Sequence, residues 1–88
     1  MASLVCDIVT PQAEFFSDEA YFVVVPGTDG EMGFYHGHVP LVSTLANGVV
    51  RVQPSEGADF KKFAIEGGYV QVTGEKVIIL ADTAEAVS

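Results

Sequence analysis

The chain has 88 residues, 49% of them hydrophobic, and this length allows one domain with a single core. Its net charge of −8 argues against nucleic-acid binding and against anionic membrane surfaces, because both depend on Lys and Arg meeting phosphate groups. No apolar run approaches the ~20 residues that span a bilayer, so we expect no direct membrane insertion.

Short β-type segments, separated by Gly, Pro and acidic turn residues, follow one another along the chain. Thr10-Pro11 ends the first segment, and Asn47-Gly48 is typical of a type I′ hairpin turn. The predicted strands are residues 4–9, 14–17, 20–25, 32–35, 39–45, 50–52, 62–66, 69–73 and 77–80. The pattern predicts an all-β fold, a flattened β-sandwich or barrel of about ten short strands.

The composition changes at the end of the chain. Asp82 is a plausible helix N-cap, and the Ala and Glu residues after it are good helix formers. We therefore predict a β-sandwich domain over residues 1–84 and a C-terminal tail over 85–88 that begins a helix.

Three glycines between residues 27 and 33 are spaced like those of a phosphate-binding loop. Such loops need a following helix whose N-terminus faces the anion, and the sequence up to Pro40 cannot readily begin one. Asp29 and Glu31 would also repel phosphate. A structural turn, or a loop that meets a protein partner, is the better interpretation.

Metal binding and catalysis find little support. His36 and His38 would share one face of a strand, but no third histidine or second cysteine is available to complete a zinc site. Neither histidine has a recognisable triad partner, and no nucleophile elbow occurs. Cys6 alternates with Leu4 and Ile8, which predicts a buried apolar role. We expect no catalytic residue, no metal and no cofactor.

Residues 27–41, GTDGEMGFYHGHVPL, resemble the signature of the epsilon subunits of F-type ATP synthases. Residues 67–72 (GGYVQV) and 77–84 (VIILADTA) resemble two later elements of that family, and Phe16-Ser17 resembles an earlier one. These motifs occur in the same order as in the family and cover essentially the whole chain.

The resemblance implies a non-catalytic rotor subunit whose ten-stranded N-terminal sandwich docks on the gamma subunit and on the polar loops of the c-ring. It assigns the ring contact to Gly27, Thr28, Asp29, Gly30, Glu31, Met32 and Gly33, with Glu31 at the loop tip. It assigns the gamma contact to Thr10, His38 and Ser43, with Leu41 and Val42 packing behind that face. The expected location is the cytoplasmic face of the bacterial plasma membrane, as a peripheral part of the complex.

Two departures from the family pattern stand out. His36 occupies a position that is usually proline, which implies a less rigid and pH-sensitive loop. The sequence also stops where bacterial relatives begin a C-terminal helical hairpin that carries ATP-binding and inhibitory residues. We therefore expect this chain neither to bind ATP nor to inhibit hydrolysis by inserting a helix.

Two binding modules of other classes remain as alternatives. A lipoyl- or biotinyl-type carrier domain needs a lysine at a hairpin tip, and the settings of Lys61, Lys62 and Lys76 do not fit that requirement well. A carbohydrate-binding module needs a row of exposed aromatic residues, whereas the three tyrosines are dispersed in the sequence.

Overall fold

The computed structural model describes residues 3–87, within which it contains ten β-strands and no helix. The predicted all-β fold is confirmed. The strands are β1 (Leu4–Val9), β2 (Glu14–Ala20), β3 (Phe22–Gly27), β4 (Gly30–Phe34), β5 (Leu41–Thr44), β6 (Gly48–Gln53), β7 (Lys61–Glu66), β8 (Tyr69–Val72), β9 (Lys76–Leu80) and β10 (Thr83–Val87).

The strands form two five-stranded sheets that pack face to face. The first sheet has the order β2-β1-β9-β8-β5, and the second has the order β10-β7-β6-β3-β4. β1 and β9 are parallel, and the other strand pairs of residues 3–87 are antiparallel. The chain passes between the layers at β2–β3, β4–β5, β5–β6, β7–β8 and β9–β10, so the connections join the two sheets repeatedly.

The hairpin predicted at Asn47-Gly48 is wrong, because β5 and β6 belong to different sheets. The connection between them crosses from one layer to the other, and Gly48 begins β6. A Cβ on Gly48 would lie 2.8 Å from Cβ of Pro26, so this glycine permits close packing against β3. The Asn-Gly pair correctly predicted a turn between two strands, but not that the second strand belongs to the other sheet.

The core lies between the two sheets and follows the period-two alternation of the strands. Leu4, Cys6 and Ile8 of β1 are fully buried, whereas Val5 and Val9 between and beyond them are half-buried on the outer face. The other large core side chains include Val23, Val25, Phe34, Val50, Val52, Ile65, Val70, Val72, Val77 and Ile79.

The sandwich is closed on the side where β5 meets β3. Gly27 and Leu45 form an isolated antiparallel bridge, and the Ala46 amide donates a hydrogen bond to the Pro26 carbonyl at 2.8 Å. On the opposite side, between β2 and β10, Phe15 and Phe16 pack against Phe63 with ring centroids 5.8 and 4.7 Å apart. Backbone pairing therefore joins one side of the sandwich, and aromatic packing fills the other.

The helix start predicted at residues 82–86 is wrong, since these residues lead into and form most of β10. Thr83 lies opposite Glu66 of β7, and its Oγ1 donates a hydrogen bond to Glu66 Oε1 at 2.9 Å. Ala84 packs against the core. Pairing with β7 overrides helix propensity, and the predicted domain boundary after residue 84 falls inside this strand. Residues 3–87 hold no helical segment with the length and apolarity needed to cross a membrane.

Candidate protein-binding surfaces

The predicted ring-contact segment, residues 27–33, is a tight β3–β4 hairpin. Gly27 pairs with Gly30, so Thr28 and Asp29 alone form the tip. Glu31 lies on β4 opposite Pro26, and its predicted position at the tip is wrong because the antiparallel ladder begins before it. The exposed carboxylate at the tip belongs to Asp29.

Glu31 is held by an ion pair on the outer face of the second sheet. Arg51 Nη2 on β6 lies 2.9 Å from Glu31 Oε1, with the two side chains 38% and 59% exposed. Val24 of β3 lies between their strands opposite Arg51, and it is nearly buried. The aliphatic part of the Arg51 side chain therefore passes over Val24. Its guanidinium neutralises Glu31, which the family resemblance assigned to the ring contact.

The other residues of this segment have structural roles. Gly27 is buried, and Met32 packs against the core. Thr28 Oγ1 lies 2.9 Å from Thr44 Oγ1, which ties the hairpin tip to the end of β5. Gly33 lies against the ring of Phe22, because a Cβ there would be only 2.6 Å from Phe22 Cζ. The segment therefore presents Thr28, Asp29 and the Glu31–Arg51 pair to solvent.

The predicted gamma-contact residues do not form one cluster. Thr10 follows β1, at the end of the first sheet where Leu80 also lies. His38 precedes β5 at the opposite end, beside Gly37, whose amide donates a hydrogen bond to the Gly74 carbonyl at 2.7 Å. The His38 ring packs edge-on against Phe34, and its Nδ1 lies 2.6 Å from the Val39 carbonyl oxygen. Ser43 lies between these ends, on the edge strand β5.

An apolar surface runs across the outer face of the first sheet. Val9, Leu80 and Tyr69 form one row over β1, β9 and β8, because Val9 pairs with Leu80 and Leu80 with Tyr69. Ile78 and Val42 belong to the next row, on either side of Gln71. Val42, Tyr69 and Leu80 are 69%, 56% and 45% exposed. We name this set of residues the apolar strip: Val9, Val42, Tyr69, Ile78 and Leu80.

The expectation that Val42 packs behind the gamma-contact face is wrong. Leu41 does pack against the core, and strand alternation turns Val42 to the opposite face. One pattern in the sequence indicates the apolar strip: residues 77–80 are apolar at every position. A strand with a polar outer face would alternate instead.

A shallow groove of about 350 Å³ continues the strip at the end that carries Thr10. Its lining residues are Val9, Thr10, Pro11, Gly68, Tyr69, Leu80, Ala81 and Asp82. Beyond the strip, the nearly buried Asp7 accepts a hydrogen bond from Ser17 Oγ at 2.5 Å and lies 3.4 Å from Lys76 Nζ. The apolar surface is therefore bordered by a satisfied polar network.

The chemistry of the described residues favours binding over catalysis. Burial raises the pKa of the Cys6 thiol to about 12, with a smaller contribution from the negative charge of Asp7, so this thiol is not a nucleophile at neutral pH. Residues 3–87 contain no group of three or more His, Cys, Asp or Glu side chains placed to hold a metal ion. Lys76 begins β9 and Lys61 begins β7, so neither lies at a hairpin tip as a carrier domain requires.

The fold is a two-layer β-sandwich that turns an apolar strip to solvent, a feature typical of protein-binding domains. The family model of the ATP synthase delta/epsilon chain β-sandwich domain matches residues 3–87. The chain belongs to this family.

Curated relatives agree with this assignment. The ATP synthase epsilon chain of Desulforamulus reducens is 49% identical over 79 residues, which is 90% of this chain and 58% of the relative. That of Brevibacillus brevis is 40% identical and covers 97% of this chain and 64% of the relative. The chain thus spans less than two thirds of the length of these relatives.

Solved structures share the fold. A chain in the Euglena gracilis mitochondrial ATP synthase, in a structure of OSCP, F1 and the c-ring, superposes with a TM-score of 0.88 at 24% identity, over 98% of this chain and 54% of its own length. A chain in the central stalk and c-ring structure of the Tetrahymena thermophila mitochondrial ATP synthase superposes with a TM-score of 0.75 at 12% identity, over 93% of this chain and 65% of its own length.

Proposed function

We propose that this chain acts as the non-catalytic sandwich of an ATP synthase epsilon subunit, which docks on gamma and on the polar loops of the c-ring. In this role it links proton-driven rotation of the ring to the central shaft and so supports ATP synthesis. It works as a peripheral component on the cytoplasmic face of the bacterial plasma membrane.

The apolar strip is the observation that carries this proposal. Large apolar side chains exposed together on one face of a small domain mark a protein interface, because water disfavours leaving them uncovered. Val42, Tyr69 and Leu80 belong to three neighbouring strands of the first sheet, so their positions are held by the sheet. We assign this face, with Thr10 and the adjoining groove, to gamma. Ser43 points away from this face and would meet gamma from the open edge of β5, and His38 contributes at the far end.

The tip of the β3–β4 hairpin fits the ring contact. Thr28 and Asp29 project from a short ladder, and the hydroxyl contact between Thr28 and Thr44 ties this tip to the first sheet. A carboxylate on such a tip can meet basic or amide groups on a ring loop, and such charges act on specificity more than on affinity. Glu31 reaches the same partner together with Arg51, as a neutralised pair.

A part that transmits torque has to resist shear between its two layers. The repeated crossings between sheets, together with the bridge between Gly27 and Leu45, join the layers covalently and by backbone hydrogen bonds. Close packing of the core between them adds stiffness. This construction supports a mechanical role in preference to a chemical one.

Titration calorimetry of the chain with the gamma subunit of the same ATP synthase tests the gamma contact. We expect Val42→Asp and Leu80→Asp each to weaken binding by about tenfold or more, because each buries a carboxylate against an apolar partner. Val49→Asp is the matched control, since Val49 is also an exposed valine on a strand but lies on the second sheet. Equal weakening by Val49→Asp, or no binding of the unaltered chain, would refute the assignment.

The ring contact needs a separate measurement on assembled enzyme in membrane vesicles. Asp29→Lys reverses the charge at the hairpin tip, and we expect it to lower ATP-driven proton pumping while leaving calorimetric binding to gamma unchanged. Glu85→Lys is the control, an exposed acid on the edge strand β10. Pumping that is equally sensitive to both changes would remove the ring contact from the hairpin.

A further inference from the structure

A second exposed surface lies on the outer face of the other sheet, and its position does not depend on the proposed gamma or ring contacts. Four aromatic rings meet there, at the end where the β2–β3, β4–β5 and β6–β7 connections lie. We name them the aromatic patch: Tyr21, Phe22, Tyr35 and Phe60. The three tyrosines are dispersed in the sequence, but the fold brings two of them together with two phenylalanines.

The rings form a continuous surface. Phe22 and Tyr35 stack with centroids 4.3 Å apart and planes 23° apart. Tyr21 lies edge-on to Tyr35 at 5.4 Å, and Phe60 lies edge-on to Phe22 at 6.3 Å. Tyr35 remains 52% exposed and Phe60 38% exposed. The side chains thus order one another while leaving aromatic surface open to solvent.

The backbone beneath the patch is preorganised. The Tyr21 amide donates a hydrogen bond to the Gln53 carbonyl at 2.8 Å, and Gln53 Nε2 donates to the Ala58 carbonyl at 3.1 Å. These bonds anchor the β6–β7 connection, which carries Glu56, Asp59 and Phe60. Gly33 lets the Phe22 ring lie against β4. Little conformational entropy remains to be lost when a ligand covers this surface.

Carboxylates border the patch. Glu56 is exposed in the β6–β7 connection, the same segment that carries Phe60. Its negative charge also raises the pKa of the Tyr21 hydroxyl. Asp59 directly precedes Phe60 and is exposed. The nearby cations are directed elsewhere or lie further along the sheet: Lys61 Nζ lies over Phe16 at 5.7 Å, Arg51 pairs with Glu31, and Lys62 occupies the neighbouring row with Arg51.

We infer that the aromatic patch is a docking site for a polypeptide segment carrying arginine or lysine side chains. An aromatic face attracts a cation through its quadrupole, and arginine also stacks flat on such rings. The carboxylates of Glu56 and Asp59 then complement the same charge, within a chain whose net charge is −8. An acidic segment would meet repulsion here, and a purely apolar one would leave both acids without partners.

The test uses a short capped peptide of alternating arginine and glycine, titrated into the labelled chain and followed by amide chemical shifts. We expect shifts at residues 21, 22, 35 and 53–60, and none along the apolar strip. A peptide with citrulline in place of arginine keeps the shape but loses the charge, and we expect it not to bind. Shifts centred elsewhere, or equal binding of the citrulline peptide, would overturn the inference.

Tyr35 and Tyr69 provide a matched pair of variants, because both are exposed tyrosines on opposite sides of the sandwich, 52% and 56% exposed. Tyr35→Ala should weaken peptide binding by about fivefold or more, whereas Tyr69→Ala should leave it unchanged. Tyr35→Leu retains apolar volume without the π face and should weaken binding as Tyr35→Ala does. Glu56→Gln by itself should also weaken peptide binding, most clearly at low salt, where charge interactions are least screened. Equal effects of Tyr35→Ala and Tyr69→Ala would contradict the site.

The same variants separate this inference from the proposed rotor function. Loss of gamma binding in Tyr69→Ala with intact peptide binding would support two independent faces. Normal gamma binding with no peptide binding to the unaltered chain would remove the aromatic patch as a docking site and leave the rotor assignment in place. The amide spectrum of each free variant shows whether it is folded, and Phe60→Ala replaces any Tyr35 variant that is not.

Discussion

Gly68, between β7 and β8, offers the sharpest test of the packing beneath the apolar strip. Its φ is +108°, and a Cβ built on it would lie 1.8 Å from the Leu80 carbonyl oxygen and 2.9 Å from Cα of Ala81. Both obstacles are backbone atoms, so no side-chain rotation can relieve the overlap. The Gly68 carbonyl also accepts a hydrogen bond from the Leu45 amide at 2.9 Å, which limits how far this glycine can move.

Gly68→Ala should therefore be severe. The left-handed conformation alone costs an alanine about 1–2 kcal/mol, and forcing β8 and β9 apart adds the loss of local ladder hydrogen bonds and strip packing. We expect the free energy of unfolding to fall by more than about 3 kcal/mol, a large share of the roughly 5–10 kcal/mol available to a domain of this size. The melting temperature should fall by more than about 12 °C.

Gly57→Ala isolates the backbone contribution. Gly57 has a φ of +80°, but no atom beyond its chain neighbours lies within 4 Å of the position that a Cβ would take, so only the conformational cost applies. We expect a loss of about 1–2 kcal/mol, or roughly 4–16 °C in melting temperature. Thermal unfolding followed by circular dichroism, with urea titration as a second measure, gives both values. If Gly68→Ala is no more destabilising than Gly57→Ala, the close approach of Gly68 to Leu80 is refuted.

Three further changes test other features. Gly33→Ala should lower the free energy of unfolding measured in urea by about 1–2 kcal/mol, less than Gly68→Ala, because the half-exposed Phe22 ring can move away from the new methyl group. Since Tyr35 stacks on Phe22, its ring signals in NMR spectra should shift, and unchanged signals would contradict this explanation. Arg51→Met should lower the free energy of unfolding by less than about 1 kcal/mol, because it removes a surface ion pair but keeps an aliphatic side chain over Val24. Arg51→Ala removes that aliphatic contact as well and should cost more. Equal losses for the two variants would count against packing of the Arg51 side chain on Val24. The raised pKa of Cys6 keeps its thiol neutral in the folded chain, whereas the thiol of the unfolded chain ionises above about pH 9. The free energy of unfolding should therefore fall as pH rises above about 9, by up to ~1.4 kcal/mol per pH unit. Cys6→Ala should show a shallower fall, and parallel pH profiles of the two proteins would refute burial of the thiol as the cause.

Much of the fold could be predicted from local sequence. Alternation such as Leu4, Cys6 and Ile8 has a period of two that only a strand can place on one buried face, and Gly or Pro residues interrupt the chain between such segments. The motif from residue 27 to 41 predicted the family correctly, since glycine spacing and order are properties of the chain itself. These signals need no knowledge of which strands become neighbours.

Predictions failed where pairing decided the outcome. Residues 82–86 have helix-forming composition, but β7 presented an open edge with which Thr83–Val87 could pair. Asn47-Gly48 looked like a hairpin turn, but its flanking strands joined different sheets. Backbone hydrogen bonds with a distant strand outweigh local propensities, which are worth less than about 1 kcal/mol per residue.

The surfaces proposed as binding sites belong to the tertiary structure alone. Sequence by itself determined that the chain is an acidic all-β domain of this family, because composition, periodicity and motif order are read along one dimension. Strand register brought Val42, Tyr69 and Leu80 onto one face and joined Glu31 to Arg51. The packing of three connections at one end of the second sheet gathered Tyr21, Tyr35 and Phe60 around Phe22. Neighbours across a sheet are set by which backbones pair and at what offset, and a shift of one residue would turn every such side chain to the other face.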